Sequence, residues 1–135
     1  MGYWKDSMLI GDAKIDAQHI KLVEAIDELM DACNKGQGRD KIDKTLSFAV
    51  NYTKEHFADE ERVQAQYAYP EMAEHKRIHA QFLESVSELV DEYNQTGPTI
   101  ALVGKLNKSL VNWVISHING EDKKLGEYIK EKTAS

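Results

Sequence analysis

A chain of 135 residues is long enough to bury one full core and short enough to be one domain, 1–135. Its composition, 41% hydrophobic and 30% charged with two prolines, is that of a soluble globular protein, and no run approaches the roughly 18 apolar residues of a membrane span. A net charge of −6 with no long basic block argues against nucleic acid as a partner.

Residues 1–15 read as an N-terminal arm whose Tyr3, Trp4, Met8, Leu9 and Ile10 are expected to pack it across the helical bundle. From about Asp16, taken as the N-cap, to Asn34, the residues Ile15, His19, Leu22, Ile26, Leu29 and Met30 share one helical stripe, and "GQG" at 36–38 ends it. A second helix is expected from about Arg39 to Tyr67, aligning Leu46, Ala49, Thr53, His56, Glu60 and Val63. "AYP" at 68–70 stops it, because the residue before a proline avoids helical backbone. A third, about Glu71 to Gln95, lines up Met72, His75, His79, Phe82, Val86, Leu89 and Tyr93.

After "TGP" at 96–98, a fourth helix over about Thr99 to Asn119 carries Val103, Leu106, Leu110, Trp113 and His117. "NGED" at 119–122 is expected to interrupt it, leaving a short C-terminal turn or helix within 120–135. No stretch alternates with period two, so no sheet is expected. Four amphipathic helices with short loops predict an all-α fold, an up-down-up-down antiparallel four-helix bundle over 16–119.

All five histidines, His19, His56, His75, His79 and His117, lie on the inward stripes. Buried imidazoles and the Glu60 carboxylate need partners. Distances from the turns place them at one depth. His19 and His56 fall 18 and 19 residues either side of Gln37, while Glu60 and His79 fall 10 and 9 either side of Pro70. His79 and His117 fall 18 and 20 residues either side of Gly97.

One layer with so many donors exceeds the four ligands of a structural zinc, and the lone cysteine, Cys33, is off it. Cys33 reads as a small apolar residue near a helix end. Imidazole with carboxylate suits iron, manganese or zinc, and the surplus suggests two ions bridged by Glu60 and a second carboxylate. Asp122 is the candidate. Five residues on a regular helix leave it roughly 140° from His117, so it reaches the layer only if the helix widens or ends near Gly120. Otherwise it is a solvated surface acid.

"IDAQHIKL", "HFADEE", "YPEMAEHKRIHAQF" and "WVISHINGED" resemble, in order and spacing, the ligand motifs of the hemerythrins, the bacterial ones above all. The resemblance covers nearly the whole chain. It implies a non-haem centre of two iron ions, one held by His75, His79 and His117 and the other by His19 and His56. Glu60 and Asp122 would bridge both beside an oxo or hydroxo group. That arrangement fills the first iron and leaves one position open on the second for dioxygen. An apolar pocket would then keep water out, and Leu22, Phe57, Trp113, Val114 and Ile118 are the residues expected around it. Each also has an ordinary core-packing role. Two positions depart from the family pattern: Gln64 replaces a common methionine and reads as a change at the surface, and Val114 replaces a leucine beside the tryptophan. Tyr67 and Tyr69 receive no role.

The function expected is reversible dioxygen binding, for carriage, storage or sensing, including as the sensory domain of a chemotaxis-type receptor whose remainder would be its partner. No catalytic residue is expected. The alternative is a di-iron enzyme, a peroxidase, an oxidase or a nitric-oxide scavenger. Ferritin-like oxidases, however, use Glu-x-x-His pairs and a more carboxylate-rich layer. A start without a signal-peptide pattern and a single cysteine suit the cytoplasm, and no membrane contact by the chain itself is expected.

Overall fold

Asp12 begins the first helix, α1 (Ala13–Asn34): its backbone is extended and its side chain accepts from the Ile15 N–H. The expected cap, Asp16, has another role. It is buried, and its carboxylate accepts from the N–H groups of Ile10 at 2.7 Å and Gly11 at 3.1 Å. Those two donors belong to the arm and have no helical partner, so the arm is tied to the first turn of α1. A computed structural model describes residues 3–36 and 39–133, so Gln37 and Gly38 of the expected stop lie outside the described residues.

The second and third helices, α2 (Arg39–Gln66) and α3 (Met72–Thr96), lie within a residue of their expected bounds. The fourth column departs from expectation. Thr99 caps it by accepting from the Leu102 N–H, and helical backbone then runs without a break over 100–133. Its segments are α4 (Ile100–Leu106), a π-turn Asn107–Val111, α5 (Asn112–His117), a second π-turn Ile118–Asp122 and α6 (Lys123–Thr133). "NGED" therefore widens the helix instead of interrupting it. A π-turn inserts one residue while keeping the helical backbone continuous, which a break would not.

Each column packs on its chain neighbours, and α1 also meets α4 and the first π-turn, closing the expected four-helix bundle. Two apolar clusters fill it. The larger includes Leu22, Ile26, Phe57, Phe82, Val114 and Ile118; the smaller is built from Ile15, Tyr69, Leu125 and Ile129. Along α1 the histidine–carboxylate layer falls between them, with His19 between Ile15 and Leu22. Among the described residues, no helix is long and apolar enough to cross a membrane.

The arm packs as expected at Met8, Tyr3, Trp4 and Ile10, whereas Leu9 remains 46% exposed. It is pinned against α6 at Gly126, where an added Cβ would come within 2.3 Å of the Ile10 carbonyl oxygen. Gly126→Ala is therefore expected to destabilise the fold by about 1–3 kcal/mol, as overpacking does. Gly104→Ala, with nothing within 4 Å, is the control and should be neutral or stabilising. Urea melts of both variants check this.

Candidate metal centre

Helical spacing places the donors. His56 and Glu60 stand one turn apart on α2, as His75 and His79 do on α3, so each pair presents both side chains to the same face. All five imidazoles turn Nε2 towards two carboxylates. His75 and His79 stand 2.9 and 3.2 Å from Glu60 Oε1, and His56 stands 3.2 Å from Oε2. Asp122 Oδ1 is 3.1 Å from His75 and 3.2 Å from His117, and its Oδ2 is 3.0 Å from His19. None of these seven residues is more than 4% exposed. The second π-turn is what brings Asp122 here; at 1% exposure it is no surface acid.

The donors form two sets, within each of which one ligand atom per residue lies within 4.8 Å of all the others. One set is Glu60, His75, His79, His117 and Asp122; the other is His19, His56, Glu60 and Asp122. Both carboxylates belong to both sets.

Of the ring nitrogens facing away, those of His56 and His79 have hydrogen-bond partners that the sequence did not reveal, that of His117 faces a carboxylate, and that of His19 has no partner among the described residues. His56 Nδ1 lies 2.9 Å from Gln18 Oε1, and Gln18 donates onward to Asp59 at 2.8 Å. His79 Nδ1 lies 2.9 Å from Glu61, and His117 Nδ1 lies 3.7 Å from Glu121. A proton held at Nδ1 by such a partner leaves the Nε2 lone pair free to bind an ion. The available signal was adjacency: Gln18, Glu61 and Glu121 each sit beside a donor in the chain.

Burial would by itself lower the His19 and His75 pKa values, but the close carboxylates of Asp122 and Glu60 carry both up to about 9. Burial pushes Glu60 up, and the close imidazoles of His19, His56, His75 and His79 outweigh it, holding the carboxyl well below its usual range. Asp122 is raised by burial and by Glu60, and the histidines bring it down to about 2.

The donor set fits the ions that its chemistry implies. His19 Nε2 and both oxygens of Glu60 and of Asp122 have no aligned hydrogen bond, although they crowd within 3.0–3.5 Å of one another's groups. Close lone pairs without hydrogen-bond alignment are what donors converging on cations produce. Nitrogen and oxygen donors without a thiolate suit iron, manganese or zinc.

Of the residues expected around a dioxygen pocket, Leu22, Phe57, Val114 and Ile118 are buried and Trp113 is half-buried. Phe57 stacks on His79 with centroids 3.7 Å apart, and Trp113 stacks on His117 at 4.4 Å, so both aromatics lie against the three-histidine set. Leu22 is one turn beyond His19. Cys33 packs against the larger apolar cluster, and Tyr67 and Tyr69 belong to the smaller. Gln64 is not at the surface. It is 0% exposed, because four residues beyond Glu60 is the same inward face of α2.

A four-helix bundle enclosing two histidine sets that share two carboxylates defines a bundle able to hold metal in its core. The family model described as "Hemerythrin HHE cation binding domain" matches residues 11–129. The chain is 33% identical over 127 residues to a bacteriohemerythrin of Stenotrophomonas maltophilia, covering 94% of this chain and 80% of that protein. A bacteriohemerythrin of Pseudomonas aeruginosa is 34% identical over 119 residues, with 88% and 75% covered. A myohemerythrin of Theromyzon tessulatum is 26% identical over 121 residues, with 88% and 86% covered. The chain belongs to the hemerythrin family.

Proposed function

We propose that the chain binds dioxygen reversibly at two non-haem iron ions, as a carrier, store or sensory domain, and is not an enzyme. One observation carries the reading: the two donor sets share Glu60 and Asp122 but are unequal, three histidines in one and two in the other. The set of His19 and His56 is thus the one with room for an outside ligand. Two ferrous ions, one in each set, would supply one electron each to bound dioxygen and recover them on its release.

The residues of the chain do the rest by holding and excluding. Gln18 and Glu61 fix the His56 and His79 rings with Nε2 inward. The apolar clusters on either side of the layer exclude bulk water, which favours reversible binding over irreversible oxidation. The described pocket candidates, Leu22, Phe57, Trp113, Val114 and Ile118, include no acid or base to drive a protein-assisted reaction. Sensing in a receptor would require the liganded and free states to differ in conformation. The arm held at Asp16 and Gly126 is the element placed to report such a difference.

The test is anaerobic loading with ferrous iron, admission of O2 and an argon purge under visible spectroscopy. An absorption band that appears with O2 and fades on purging, at two irons per chain, is expected. Direct passage to a ferric spectrum that purging does not reverse would overturn reversible binding in favour of a redox enzyme. Fewer than two irons per chain would overturn the dinuclear site.

A further inference from the structure

We propose that Gln64 is a hydrogen-bonding residue of the metal centre, holding one buried water molecule between its amide and the Glu60 carboxylate. The inference rests on the metal-binding part of the proposed function and not on dioxygen. Gln64 is 0% exposed, and neither its Oε1 nor its Nε2 has a hydrogen-bond partner. An amide in that condition forfeits hydration on both sides, so a buried glutamine is costly unless something small and polar meets it. Leucine or methionine would fill similar space without that cost.

Helix geometry says where the amide lies. Gln64 is four residues beyond Glu60 and eight beyond His56, on the face of α2 that bears the donor layer. Long side chains on a helix lean back over the preceding turn, here the turn of Glu60 and Glu61. Glu61 is engaged with His79 Nδ1 at 2.9 Å. Glu60 is the other carboxylate of that turn; its oxygens lie 2.9–3.5 Å from four imidazoles, none of them aligned as a hydrogen bond.

The amide and carboxylate make no direct hydrogen bond, and a single water is the polar group sized to join them. A carboxylate that binds cations keeps lone pairs free for a donated hydrogen bond. A donor held there fixes the orientation of the carboxylate, as outer partners of metal ligands do. Gln64 is thereby a positioning residue, acting on the ions through Glu60.

The experiment uses the full chain, 15N-labelled and metal-free, titrated with Zn2+, which is diamagnetic and suits the donor set. The Gln64 side-chain amide pair is identified by its disappearance in Gln64→Met. Zinc is expected to shift that pair, slow its exchange and reveal a cross-peak to bound water. Gln64→Met is expected to bind zinc about tenfold or more weakly, the usual cost of an outer partner. Its metal-free form should melt no lower than wild type. If wild type binds two zinc ions while the Gln64 pair stays still and Gln64→Met keeps full affinity, Gln64 is a packing residue and the inference falls alone. If wild type binds no zinc, the metal centre falls and takes the inference with it.

Discussion

Replacing Glu60 by alanine is expected to strip the chain of both metal ions, not one. Glu60 is the sole α2 carboxylate in the layer, is 0% exposed and belongs to both donor sets. Removing it takes one anionic oxygen from each ion and leaves Asp122 alone to offset two divalent charges in a buried site. Uncompensated charge in that surrounding costs several kcal/mol. The loss of affinity should therefore exceed the roughly 10–100-fold typical of losing a partner outside the ligand shell. His19→Ala provides the contrast, because His19 belongs to the smaller set only. It should weaken one ion and spare the other. Equilibrium dialysis with Co2+ followed by metal analysis reads both variants. A Glu60→Ala protein that retained one ion at wild-type affinity would show that the carboxylate is not shared.

The metal-free chain is expected to lose stability as pH rises from about 6.5 to 9, and metal loading should reverse that slope. His19 and His75 titrate at about 9 when folded against 6.5 when free. A raised folded value means that the stabilisation is complete below 6.5 and is lost as pH climbs through 9. Asp122 moves the other way, from 3.8 to about 2, so its contribution is present above 3.8 and lost as pH falls through 2. Glu60 has the same sign. The metal-free protein should therefore be most stable between about pH 4 and 6.5.

A single histidine held that strongly corresponds to about 3 kcal/mol. His19 and His75 lean on the same two carboxylates, so the combined change is nearer to one such contribution than to two. Ions require the deprotonated imidazoles, so their affinity rises over the range in which the metal-free fold weakens. Urea melts at pH 6 and 9, with chelator and with Zn2+, read this directly. Equal stability of the chelated protein at both pH values would overturn it.

Much of this protein is written in local periodicity. The stripes that carry Leu22, Phe82 or Leu110 have period 3.6, and their neighbours in register include every imidazole. Glycine and proline mark where the columns turn, so even the common depth of His19, His56, His79 and His117 follows by counting from the turns. That is possible because a helix advances by a constant rise per residue.

Other features depend on what lies across the bundle. The spacing from His117 to Asp122 allows a widened helix or a break, and local sequence does not choose between them. The tertiary structure chooses the π-turn, which keeps the helix continuous while burying Asp122 against His19 and His75. Asp16 suits a cap by sequence, yet the folded arm supplies the N–H groups of Ile10 and Gly11 that claim it. Gln64 looks like a surface polar residue until the packed α2 face encloses it. The contacts of Gln18 with His56 and of Glu61 with His79 span different helices. Periodicity determines which face a residue occupies, but the partner it meets there depends on rotation and distance between helices, which only the assembled core sets.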